Sequence, residues 1–110
     1  MDEDGPIIIL ITAPKLAEAR RIADALLTEH LAACVNTLSG VSSRYWWQGR
    51  LEEAAEALLI VKSRRPLLDA IIKRVKAMHS YDVPEIVALP ITGGNEDYLK
   101  WLASETRQGE

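Results

Sequence analysis

The chain has 110 residues, 48% hydrophobic and 26% charged, with a formal net charge of -3 and a single cysteine. That length holds one domain and buries roughly two-thirds of its unfolded surface, enough for one core. The acidic balance leaves no electrostatic footprint for DNA or RNA, and no apolar run reaches the ~18 residues of a membrane helix. Neither nucleic acid nor a membrane is therefore expected as a partner.

Met1-Asp2-Glu3-Asp4-Gly5 is acidic where an export signal is basic, so no export signal is expected; residues 1–5 are expected to form a flexible tail, with a second tail at 107–110. Between them, 6–106 is expected to be a single domain. Pro6 to Ala13 is an almost unbroken apolar run rich in β-branched residues, as in a central strand covered on both faces. Pro14 suits the first turn of a helix, where its missing N–H costs nothing. Leu16, Ala19, Ala23, Leu26 and His30 then recur at helical spacing, with Glu18, Arg21 and Glu29 between them, predicting an amphipathic helix that ends near Leu31.

Ala33 to Leu38 reads as a second strand, which residues 39–49 can prolong, with Gly40 as a bulge or turn and Tyr45-Trp46-Trp47 as strand formers. Gln48-Gly49-Arg50 marks a hairpin tip. The return, Leu51 to Lys62, mixes helix formers with the compact apolar run Leu58–Val61, and is assigned as strand because the aromatic stretch needs a partner. Pro66 restarts a helical pattern with Leu68, Ile71, Ile72, Val75 and Met78 on one face. Lys73, Arg74 and Lys76 lie toward its C-terminal end, where the helix dipole favours cations. Pro84 to Ile91 is a fourth strand whose prolines demand an edge position. After Gly93-Gly94, Asn95 can cap a last helix whose apolar side is Tyr98, Leu99, Trp101 and Leu102.

This order, β-α-β-β-α-β plus a terminal helix, predicts an α+β, ferredoxin-like fold with both crossover helices on one sheet face. The other face would show apolar side chains to water, and a second copy of the chain is the simplest cover.

Trp46 and Trp47 are adjacent, so in a strand they point to opposite faces. Either one ring is core and the other half-exposed, or the second joins Tyr45 at a subunit contact. Cys34, His30 and His79 are the soft or imidazole ligands available, without C-x-x-C or H-x-x-x-H spacing. Cys34 can be a buried thiol, His30 a packed or capping group and His79 a helix cap. If a metal binds, these ligand types suit copper or zinc better than magnesium or calcium. Asp82 and Glu85 flank Val83-Pro84 beside His79 and Tyr81, where paired carboxylates can hold a cation, act as acid and base, or simply belong to a turn. No nucleophile has a partnered base in any recognisable pattern, so no enzyme is expected. The unpaired Cys34 fits a reducing, cytoplasmic setting.

With these residues placed, the chain resembles the CutA divalent-cation tolerance family from about Ile7 to Leu102. The resemblance rests on Leu31-Ala32-Ala33-Cys34-Val35-Asn36, on Tyr45-Trp46-Trp47-Gln48-Gly49, and on His79-Ser80-Tyr81-Asp82-Val83-Pro84-Glu85-Ile86. Leu89-Pro90-Ile91 and Gly94 through Tyr98-Leu99-x-Trp101-Leu102 extend it. It implies a ferredoxin-like homotrimer, similar in architecture to the PII signalling proteins, with hairpins around Tyr45, Trp46 and Trp47 reaching between subunits. It also implies a role in tolerance of copper, as Cu(II), or another divalent cation; the reading that follows is a non-catalytic protein without an organic cofactor, binding the cation weakly because one thiol, two histidines and scattered carboxylates cannot form a four-ligand soft cage within one chain. Its metal-associated positions map onto Cys34, His79 and Glu85, with Asp82 beside them. A PII-like module binding a metabolite or nucleotide between subunits is the alternative. Where the family commonly has Pro-Tyr-Glu, this chain has Ser80-Tyr81-Asp82.

Overall fold

The computed structural model describes residues 4–108. The parts of the expected tails at 1–3 and 109–110 lie outside the described residues. The described ends are tied down: Gly5 is buried and its carbonyl accepts from the Arg65 N–H (2.9 Å), while the Arg107 N–H donates to the His30 carbonyl (2.9 Å).

Strand β1 (Pro6–Ala13) leads into helix α1 (Leu16–Thr28), then into the long strands β2 (Cys34–Trp47) and β3 (Arg50–Arg64). A 3-10 turn (Arg65–Leu67), helix α2 (Leu68–Met78), edge strand β4 (Ile86–Pro90) and helix α3 (Glu96–Ser104) follow. The sheet order is β2-β3-β1-β4 with every pairing antiparallel, which is the ferredoxin-like arrangement of interlocked βαβ units. β4 pairs only with β1, an edge position that suits Pro90, and is shorter than the expected span because Pro84 and Glu85 stay in the preceding loop.

Side chains alternate along the strands, so Ile7, Ile9, Ile11, Leu59 and Val61 face one way. They form the buried core with Ile22 and Leu26 of α1 and Ile71 and Val75 of α2. The Arg74 guanidinium bonds Glu29 (2.7 Å), joining the two helices at their rim.

Helix α1 ends at Thr28, short of the expected Leu31. His30 adopts a left-handed backbone (φ 54), which turns the Leu31 N–H back to the Leu26 carbonyl (2.9 Å) and the His30 N–H to that of Leu27 (3.1 Å). This is a Schellman closure with histidine where glycine is usual. His30 is therefore exposed instead of continuing the apolar face, and its Nδ1 meets the Glu105 carbonyl at 2.9 Å.

The β2–β3 hairpin turns at Gln48 and Gly49, both left-handed (φ 49 and 79), as a two-residue type I′ turn requires. Gly40 (φ 74) lies in a bulge where the register shifts between Leu38 and Val41. Residues 50–56 of β3 pair only with β2, so the hairpin runs past the end of β1. Neither tryptophan is in the core as a result: Trp46 is 73% and Trp47 46% exposed. The expectation of a core Trp fails because the strands carrying both rings outrun the helices that would cover them.

The second sheet face is not entirely bare. α3 packs on β3 and β1 across one end of it, with Leu102 buried and Thr106 Oγ1 accepting from Arg64 Nε (2.8 Å). Asn95 caps α3 by accepting from the Asp97 N–H (3.0 Å). Past α3, Leu38, Val87 and Leu89 remain exposed, beside half-buried Leu10, Leu58 and Ile60.

Candidate functional site

The segment 79–85 crosses the end of β1 on its way from α2 to β4. His79 leaves the helix in an extended conformation and its ring is buried. Nε2 donates to the Thr12 carbonyl (2.7 Å) and Nδ1 accepts from the Tyr81 N–H (3.0 Å), which assigns the neutral Nε2–H tautomer. Both ring nitrogens are thus in use.

Glu18 is buried beside this ring, 3.4 Å from Nδ1, and its Oε2 accepts from both the N–H and the hydroxyl of Ser80 (3.0 Å each). A proline at position 80 could make neither bond, so the departure from the family's usual Pro-Tyr-Glu has a structural counterpart here. Burial by itself would raise the Glu18 carboxyl. The two Ser80 bonds, with the Arg21 charge nearby, outweigh it and hold the group below its ordinary value of 4.5. A lowered folded value means that the ionised carboxylate stabilises the fold fully above the ordinary value and loses this contribution as pH falls through the lowered one. Thermal melts from pH 7 down to about 3 should show this loss in the wild type and a shallower decline in Glu18→Gln, which should itself cost about 1–3 kcal/mol at neutral pH. Parallel melting curves for the two proteins over that range would remove Glu18 from the account.

Tyr81 continues the network. Its ring leans on His79 (centroids 5.0 Å apart) and its hydroxyl donates to Glu56 Oε2 (2.9 Å). Burial, followed by the Glu56 carboxylate, pushes the phenol up to about 12, so it stays a donor. Asp82 and Glu85 are exposed and line an open groove of about 760 Å³ between this segment and the hairpin, with Tyr45, Trp47 and Glu56 in its walls.

Cys34 lies elsewhere. It pairs with Lys62 in β3, while Thr12 pairs with Leu58, so the thiol is roughly 13 Å along the strand from the His79 end at ~3.3 Å per residue. Its surroundings are the Lys62 ammonium (Nζ to Sγ 4.0 Å) and the Tyr98 hydroxyl, which burial and then the Cys34 sulfur push upward. His79, Asp82 and Glu85 therefore share one region and Cys34 does not. Among the described residues, no group of three or more His, Cys, Asp and Glu side chains is placed to hold a metal ion. The four expected ligands do not fit one ion within a single chain. Glu18, Ser80 and Glu56 had no local signal in the sequence, since each takes its role from a partner distant in the chain.

The topology, the projecting hairpin and the polar network at the end of β1 define a ferredoxin-like α+β protein. The family model described as CutA1 divalent ion tolerance protein matches residues 7–105. A divalent-cation tolerance protein CutA of Thermus thermophilus is 52% identical over 99 residues, 90% of this chain and 96% of that protein. The rice protein named Protein CutA 1, chloroplastic, is 50% identical over 93% of this chain, which spans 58% of that relative's length. A crystal structure of CutA1 from Oryza sativa superposes with a TM-score of 0.92 at 48% identity, covering 98% of this chain and all of that one. The chain belongs to the CutA1 divalent ion tolerance family. No described helix is long and apolar enough to cross a membrane.

Proposed function

We propose that the chain acts as a non-catalytic, cytoplasmic homotrimer in divalent-cation tolerance, contacting Cu(II) or a similar ion weakly. The observation that carries this reading is the match to the family model over nearly the whole described chain. Support for assembly comes from the apolar face of β3, β1 and β4 beyond α3 and from the projecting Tyr45, Trp46 and Trp47. The lone, half-buried Cys34 without a disulfide supports the compartment. The Thermus thermophilus relative and the matching family model are named for divalent-cation tolerance, which favours this reading over a nucleotide-sensing module.

Weak affinity follows from the ligand supply. His79 can bind an ion only by giving up its bond to Thr12 or its bond from Tyr81, and Asp82 and Glu85 bring oxygen ligands alone. Cys34 requires a separate site or a neighbouring subunit. Calorimetric titration with Cu(II) and Zn(II) should give affinities in the ~micromolar range that weaken on acidification, because metal ligands must lose their protons to bind. Asp82→Asn with Glu85→Gln should weaken binding without disturbing the buried network, and His79→Ala and Cys34→Ser test the other two positions. Equal affinity and stoichiometry for the wild type and all variants would remove these four residues as ligands.

A further inference from the structure

Helix α3 is fastened firmly past its far end and only lightly along its length. Of its nine residues Leu102 alone is buried, so little apolar contact holds its body to the sheet. The chain reaches it through residues 92–95, which are exposed and without regular structure. The anchor before them is the Ile91 N–H, bonded to the Pro6 carbonyl (3.0 Å). A Cβ at Gly93 would meet nothing within 4 Å, so no neighbour packs against the backbone there. A few such loop residues can absorb a change of direction. The far end is a clasp. Thr106 is buried and its Oγ1 accepts from Arg64 Nε (2.8 Å), while the same guanidinium donates to the Arg107 carbonyl. His30 completes it: its Nδ1 donates to the Glu105 carbonyl and its own carbonyl accepts from the Arg107 N–H (2.9 Å each).

Against the first turn of α3 lies half-buried Cys34. The Tyr98 hydroxyl donates toward its sulfur, and the Lys62 ammonium stands 4.0 Å from it. We infer that α3 is a lid over Cys34, hinged at Gly93-Gly94 and latched by Arg64 and His30 onto residues 105–107, whose opening sets when the thiol meets solvent. Hinge and latch lie at opposite ends of the helix, so releasing the latch lets α3 swing without breaking β1, β3 or the core beneath α1 and α2. Arg64 carries both side-chain bonds to residues 106 and 107, so closure depends on it most. None of these residues belongs to the apolar face beyond α3 that is expected to meet sister chains. The lid goes beyond the cation-tolerance reading and does not depend on it.

Cys34 is the only cysteine of the chain, so alkylation of the native full-length protein by iodoacetamide, followed by mass spectrometry, reads lid opening directly. Arg64→Met keeps the aliphatic stem and Thr106→Val keeps the side-chain volume. Each should speed alkylation about tenfold through the loss of hydrogen bonds from a charged donor. Gly93→Ala, which removes backbone freedom at the hinge, should slow it about twofold. Amide hydrogen exchange supplies the control. Residues 99–105 should exchange faster than β1 in the wild type and faster again in both latch variants, while β1 keeps its wild-type protection. Circular dichroism would show that all three variants fold. Three results would overturn the lid: wild-type alkylation in both folded latch variants, protection of residues 99–105 equal to that of β1, or alkylation of the wild type as fast as that of the unfolded chain.

Discussion

Ile60→Lys is expected to take the assembly apart while leaving the subunit folded. Ile60 stands on the face of β3 opposite α1 and α2, in register with Leu10 of β1 and Asn36 of β2. Leu58 and Leu38 lie one step along the same face, and Leu89 belongs to it across β1. In a lone chain this position is half-buried, so a lysine can lead its ammonium to water along its aliphatic stem and cost little. Against a second copy the same charge would be enclosed without a partner, at several kcal/mol per subunit. Light scattering should give three times the chain mass for the wild type and the single-chain mass for the variant at micromolar concentration, with far-UV circular dichroism unchanged. A wild-type monomer, or a trimeric variant, would refute covering of this face by sister chains. Trp46→Ala and Trp47→Ala follow the same logic. With both rings largely open in the single chain, their cost should appear through assembly and not through the core.

The largest effect on the fold itself is expected at Leu26. Its side chain is fully buried on α1 within the cluster formed with Ile9, Ile11, Leu59 and Ile71. Leu26→Ala should cost about 2–5 kcal/mol, the lost transfer energy of the removed carbons plus the cavity they leave. The backbone carbonyl that closes the helix by accepting from Leu31 and Ala32 is retained, so the loss reports packing alone. The neighbouring Leu27 is exposed, and Leu27→Ala should stay within about 0.5 kcal/mol of wild type. At fixed protein concentration, which holds any linkage to assembly constant, Leu26→Ala should lower the melting temperature by roughly 10 °C or more. Equal melting of the two variants would mean that the α1–sheet contact is not where the stability resides.

What could be read from the residues alone is what short-range physics controls. The β-branched run of β1, the 3.6-residue periodicity of α1 and α2, the Gln48-Gly49 turn, the cap at Asn95 and the edge position of β4 follow from backbone preferences acting over a few residues. The order of those elements was enough to choose the ferredoxin-like topology. The stop of α1 at Thr28 was not legible, because a histidine in the left-handed region is unfavourable locally and is held there by the closure that buries Leu31. Nor was the exposure of both tryptophans, which depends on β2 and β3 outrunning β1. The site was legible only in part. The neighbourhood of His79, Asp82 and Glu85 follows from adjacency in the chain, but Ser80 meets Glu18 across 62 residues and Tyr81 meets Glu56 across 25. Cys34 resembled a ligand by residue type and is placed near the other end of the strands. Side-chain chemistry is written residue by residue, while the separation of two groups is settled by where strands end and which face they share, and only the packed chain decides that.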